Sequence, residues 1–165
     1  MILRPENQNK SVLTEEVRSE MLAAISACQQ KECAALDVLL IAKRHYGWIS
    51  DEMLNELAAI LEMSTSELDS AATFYNQIYR KPIGRHVILV CDSVSCWIMG
   101  YDLVREHLIA RLGIELGQTT PDGRFTLLPI QCLGACDQAP AVMVDGELFV
   151  NLDATTIDEI LQRYS

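Results

Sequence analysis

Positive charge is scarce in this chain: 13 Lys and Arg stand against 23 Asp and Glu, a formal net charge of −10 among 165 residues. Nucleic acid and anionic membrane surfaces both call for a Lys/Arg excess, so neither is expected as a partner. Long hydrophobic runs are missing too. No uninterrupted apolar stretch approaches the roughly 18 residues of a membrane span. The first ten residues, MILRPENQNK, lack the apolar centre that a secretory signal needs. The chain is therefore expected in the cytosol, where thiols stay reduced. Glycine and proline are few, 8 and 5, and neither an internal repeat nor a low-complexity segment is present, so the chain is globular. No G-x-G-x-x-G follows a strand, which argues against a dinucleotide site here.

The length suits one domain with a real core, or one domain carrying a helical appendage. Over residues 1–83 the apolar periodicity is helical. Val17, Met21, Ile25 and Cys28 form one stripe, and Leu36, Leu39, Leu40 and Lys43 a second that ends on a polar position. Leu54, Leu57, Ala58 and Leu61 form a third at i, i+3, i+4, i+7 spacing. Ser64 and Glu67 have the spacing of a capping box before Leu68, Ala71, Ala72 and Tyr75. Gly47 separates the second and third stripes, and Pro82 and Gly84 end the region. A bundle of about four helices is expected.

From residue 84 to 165 the period changes. HVILVC ending at Cys91 is strand-like, and Tyr101, Val104, Leu108 and Leu112 share a helical face stopped by Gly113. Arg124 to Ile130 forms a second strand after the turn Pro121-Asp122-Gly123. Ala141–Val144 and Leu148–Asn151 flank Asp145-Gly146, a hairpin signal. Ile157, Ile160, Leu161 and Tyr164 mark a last helix. The expected fold class is α/β (α+β): a helical bundle, then a four-stranded mixed sheet with flanking helices, in the element order of a thioredoxin-like domain.

Four of the six cysteines fall in two pairs, Cys91-x4-Cys96 and Cys132-x3-Cys136, each just after a strand-like run. If those strands are neighbours, four sulfurs meet, and four thiolates are a soft-metal site. Zinc most often takes tighter C-x2-C knuckles, although it accepts C-x4-C. A two-iron cluster is larger, gives each iron two thiolates, and fits the longer loops. Thiol–disulfide exchange would want C-x-x-C and has no use for a second pair. Four cysteines that merely pack near strand ends are the plainest alternative. Gly134 lets its loop bend back so that amides can face sulfur, and the helix opening beyond Gly100 offers a positive end. Such donors suit an oxidised four-thiolate cluster, which is dianionic and gains a further charge on reduction. Asp92 and Asp137 adjoin the pairs and would lower a cluster potential only if they faced it.

The segments ATFYNQIYRKPIGRHVILVCDSVSCWIMG and GQTTPDGRFTLLPIQCLGACDQAPAVMVDG resemble the E-subunit family of NADH-quinone oxidoreductase, respiratory complex I. The resemblance runs from about Leu13 onward and rests on TFY, the C-x4-C loop, TT-x-DG-x-FTL, and CLG-x-C with a proline four residues on. Related subunits occur in soluble NAD-linked hydrogenases and formate dehydrogenases. The resemblance implies a thioredoxin-like ferredoxin with one [2Fe–2S] cluster on Cys91, Cys96, Cys132 and Cys136, and no catalytic residue of its own. It also implies partners: the F-type flavoprotein subunit, which binds FMN and NADH, and the rest of the peripheral arm on the cytoplasmic side of the bacterial inner membrane. The contrasting class is a zinc-stapled interaction module.

Cys28 and Cys33 lie outside these motifs and are expected to be structural or incidental. His45, His86 and His107 have no ligand-spaced neighbours, so surface or packing roles are expected. Phe74, Tyr75 and Tyr79 are expected to pack against the cluster domain rather than to form an aromatic docking patch. Arg80, Lys81 and Arg85 are the one basic run, either facing an acidic partner or solvated.

Overall fold

The computed structural model describes residues 12–164, and the segment MILRPENQNK assessed above for a signal lies outside them. The chain divides into two compact units, one ending at Pro82 and the other beginning at Ile83.

The first unit holds four α-helices: α1 (Glu15–Ser26), α2 (Ala35–Tyr46), α3 (Asp51–Leu61) and α4 (Thr65–Phe74). Three start on a side chain that satisfies an otherwise unpaired first-turn amide. Thr14 accepts from the Val17 amide, Ser50 from Met53 and Ser64 from Glu67, and Glu67 reaches back to complete the capping box. A 3-10 turn at Lys31–Ala34, which periodicity does not signal, leads into α2. The core gathers Met21, Val38, Leu39, Leu54, Leu57, Leu61 and Leu68, all nearly inaccessible. Full burial of each large aliphatic side chain contributes about 1.5–3 kcal/mol.

The second stripe needs correction. Helix α2 buries Ala35, Val38, Leu39, Ile41 and Ala42, while Leu40 is exposed. The physical reason is that α2 packs against α1, α3 and α4 at once, so its apolar arc is too wide for a single seam. Lys43 lays its ammonium 5.7 Å from the Tyr79 ring centre. Tyr79 is half-buried, whereas Phe74 is 77% exposed and stacks edge-on against the exposed Tyr75. Arg80 is neither solvated nor free for a partner. Its guanidinium bonds Asp69 at 2.7 Å, Asp51 at 2.6 Å and the Ile49 carbonyl, tying the chain after α4 back to the start of α3.

The second unit runs β1 (His86–Cys91), α5 (Val94–Ile98), α6 (Tyr101–Leu112), β2 (Gln118–Thr119), β3 (Phe125–Ile130), β4 (Val142–Val144), β5 (Glu147–Phe149) and α7 (Ala154–Arg163). Its mixed sheet has five strands rather than four, in the order β2-β3-β1-β4-β5. The extra strand, β2, pairs only Gln118 and Thr119 with β3, which is too short to leave a period in the sequence. Strand β1 lies at the centre, parallel to β3 and antiparallel to β4, and every residue from Val87 to Cys91 is buried. A strand covered on both faces loses the alternation of polar and apolar residues. Asp145 and Gly146 turn the β4–β5 hairpin with positive φ at both positions, the geometry that Asp-Gly favours. No helix among the described residues is long and apolar enough to cross a membrane.

Candidate metal centre

Strands β1 and β3 run in register, so that Cys91 stands beside Ile130. The Asp92 amide then bonds the Ile130 carbonyl at 3.0 Å. The two chain segments therefore leave the sheet at one level, and each enters a cysteine loop. Beyond β1, Cys96 falls within the short helix α5, which the sequence did not signal. Beyond β3, Cys132 lies in an irregular loop and Cys136 opens a 3-10 turn. All four cysteines are free thiols: Cys91 and Cys96 are buried, Cys132 and Cys136 exposed.

Cys91 and Cys96 lie close enough that each shifts the ionisation of the other. Burial pushes the Cys91 thiol up, but the Ser93 hydroxyl and backbone, the Leu133 backbone and Cys96 outweigh it, leaving Cys91 below the ordinary thiol range. Cys96 moves the opposite way. Burial and then the neighbouring Cys91 raise it, against the Ala141 backbone and the Ser93 hydroxyl. Cys91 is thus the first of the two to become a thiolate.

Leu133 belongs to the second loop, so its contact with the Cys91 sulfur sets one loop against the other. In that second loop Gly134 takes φ +79° and its amide donates to Cys132 Sγ at 3.4 Å, as its place between the cysteines suggests. Among the described residues no three His, Cys, Asp or Glu side chains are gathered as for a single ion. The structure joins Cys91 to Cys96 and brings the Cys132–Cys136 loop alongside. The Gly134 amide is a donor that the sequence indicated, and the others differ from that reading. Because α5 intervenes, the amides at sulfur come from Ser93, Leu133, Gly134 and Ala141 rather than from the start of α6. Asp92 and Asp137 are exposed to solvent.

The three histidines each pair with a carboxylate instead of a metal site: His45 with Glu20 at 2.8 Å, His86 with Asp145 at 2.6 Å, His107 with Asp158 at 2.9 Å. Cys28 packs at the edge of the helical core and Cys33 is exposed. Beside Cys96 the surface is apolar. Val94, Trp97, Ile98, Met99 and Leu103 are all more than half exposed, a grouping that soluble surfaces seldom leave without a use.

Two soft pairs with amides turned toward sulfur fit a thiolate-ligated iron–sulfur group, whose negative charge such donors offset. The comparisons agree. The family of thioredoxin-like [2Fe–2S] ferredoxins matches residues 21–165. The E subunit of NADH-quinone oxidoreductase from Pseudomonas aeruginosa is 39% identical over 156 residues, 94% of each chain. The protein of that name from Escherichia coli K12 is 43% identical over 136 residues, 82% of each chain. Among solved structures, an NAD+-reducing [NiFe]-hydrogenase in the air-oxidised state is similar with a TM-score of 0.69 and 29% identity. That likeness covers 79% of this chain but only 22% of the hydrogenase chain.

Proposed function

This chain belongs to the thioredoxin-like [2Fe–2S] ferredoxin family and, within it, to the E-subunit family of NADH-quinone oxidoreductase, and from that premise we propose that Cys91, Cys96, Cys132 and Cys136 hold its cluster. It is an electron-transfer subunit of a multi-subunit oxidoreductase. One observation carries the ligand reading: β1 and β3 end in register, so the two cysteine loops leave the sheet side by side.

Bound there, the cluster supplies a one-electron couple. Cys91 and Cys96 hold it from the buried side, on a central strand and a helical turn that fix their direction. Cys132 and Cys136 close it from the exposed loop. The backbone of Ser93, Leu133 and Ala141 stabilises negative charge on the thiolates, so the site tolerates an added electron. In this reading residues 84–165 form the cluster domain and residues 1–83 a separate helical domain.

The proposed electron source is the F-type flavoprotein subunit, which binds FMN and NADH, in the peripheral arm on the cytoplasmic side of the membrane. A hydride brings two electrons where the cluster takes one, so a flavin must stand between them. This chain has no dinucleotide fingerprint to supply that step. The apolar face at Val94, Trp97, Ile98, Met99 and Leu103 adjoins Cys96 and suits burial against that partner. The likeness to the NAD+-reducing hydrogenase favours a second reading, the equivalent subunit of such an enzyme, and co-purification of the native assembly separates the two.

The test is anaerobic addition of NADH to the cluster-loaded chain, alone and with the flavoprotein, followed by the cluster's visible absorbance. Bleaching is expected only with the partner present. Rapid bleaching of the chain alone, with free flavin excluded, overturns the reading.

A further inference from the structure

Ser93 occupies the N-cap position of α5, where a serine ordinarily accepts a bond from an amide of the first turn. It makes no such bond. Its Oγ instead lies 3.5 Å from Cys91 Sγ, close enough for a hydrogen bond involving sulfur. As a thiol, Cys91 is the donor of that contact. As a deprotonated ligand its sulfur has no proton to give and can only accept, so the hydroxyl must turn and donate. Half-burial of Ser93 limits competition from water.

Resting on the ligand reading above, we propose that the Ser93 hydroxyl donates to the Cys91 thiolate and raises the reduction potential of the cluster. Reduction places more negative charge on the ligand sulfurs, and a donor aimed at sulfur stabilises the more negative state more strongly. Ser93 is therefore a positioning residue that acts on the couple through Cys91. Because its side chain caps no amide, its removal should leave α5 in place while the couple shifts.

The full-length chain, loaded with its cluster, is compared with Ser93→Ala, Ser93→Thr and Ser93→Cys by redox titration followed by EPR. Iron and acid-labile sulfide contents confirm loading. Ser93→Ala should shift the equilibrium toward the oxidised form by about tenfold, about 59 mV for one electron. Ser93→Thr, which keeps the hydroxyl, should recover most of that shift. A loaded Ser93→Ala variant with an unchanged or raised midpoint overturns the proposal, as does a Ser93→Thr variant displaced as far as alanine. Should alanine fail to load, Ser93→Cys decides with its weak thiol donor: its midpoint should fall below wild type, and an equal midpoint overturns the proposal. Failure of the ligand reading shows differently, as a Cys91→Ser variant that keeps wild-type iron content and spectrum.

Discussion

Replacing Thr126 with valine keeps shape and strand preference while deleting one hydroxyl. Thr126 lies in β3 at 3% exposure. Its Oγ1 accepts the Gly84 amide at 2.6 Å and lies 2.8 Å from Thr119 Oγ1. The tie matters because Gly84 leads into β1, and β1 and β3 carry the two cysteine loops at their far ends. A side chain at Gly84 would not fit, since a Cβ there would stand 2.9 Å from the Arg124 carbonyl oxygen. Leaving a buried donor unmade costs about 1–3 kcal/mol. Gly84 and Thr119 are only half-buried, so the lower end applies to each, about 2 kcal/mol together. The added buried methyl returns about 0.8 kcal/mol. The net loss, about 1 kcal/mol, should lower Tm by about 4–8 °C for a cooperative unit of this size. Amide exchange of Gly84, followed by NMR, is the sharper assay. Thr126→Ser loses a methyl and will melt earlier too, but it keeps the acceptor and should keep Gly84 protected. A Thr126→Val variant that retains wild-type protection at Gly84 would refute the reasoning whatever its Tm.

Serine in place of any of Cys91, Cys96, Cys132 or Cys136 should abolish or severely perturb the cluster, while Cys28→Ser and Cys33→Ser leave about two irons and two labile sulfides per chain with the EPR signal of the reduced cluster; a normal cluster in Cys132→Ser, or one zinc and no sulfide in the native chain, contradicts the assignment. Acid should destabilise the fold through its depressed carboxylates. Glu67 is lowered first by the Ser64 hydroxyl and Glu147 first by Arg163. A carboxylate depressed by folding contributes stability that is whole above its unfolded pKa and lost as pH falls through the folded one. Tm should therefore fall below the ordinary carboxylate range, and Glu67→Gln should flatten that fall; a Tm that rises there would contradict it.

What could be read from sequence divides by range. The capping box at Ser64 and Glu67, the stop at Gly47 and the Asp145-Gly146 hairpin are local chemistry, and each stands where its residues put it. The two cysteine pairs were legible because loop spacing is local, while the adjacency of their strands was only a condition, which the parallel β1–β3 pairing meets. What was missed depends on partners remote in the chain. His45, His86 and His107 each meet a carboxylate at least 25 residues away. Arg80 reads as one of three surface cations, yet it bridges to Asp51 and the Ile49 carbonyl. Helix α5 and strand β2 are too short to have a period.

The unequal burial of the two cysteine pairs follows from the same topology. Cys91 ends the central strand and is covered by neighbours on both sides, and Cys96 lies in α5, so both residues are buried. Cys132 and Cys136 leave the sheet in a loop with little regular structure, held by the Gly134 amide and by the contact of Leu133 with Cys91. Fixing one pair on rigid elements leaves the other loop able to accommodate a group wider than a single ion. An electron carrier benefits from this division. The buried side excludes water and supplies backbone amides, while the exposed loop and the apolar surface next to Cys96 leave a face on which a redox partner can come close. A thiol catalyst needs one accessible low-pKa sulfur, and here the sulfur with the lowered pKa, Cys91, is 3% exposed. That sulfur is hidden from a disulfide substrate, which argues against thiol–disulfide catalysis at Cys91.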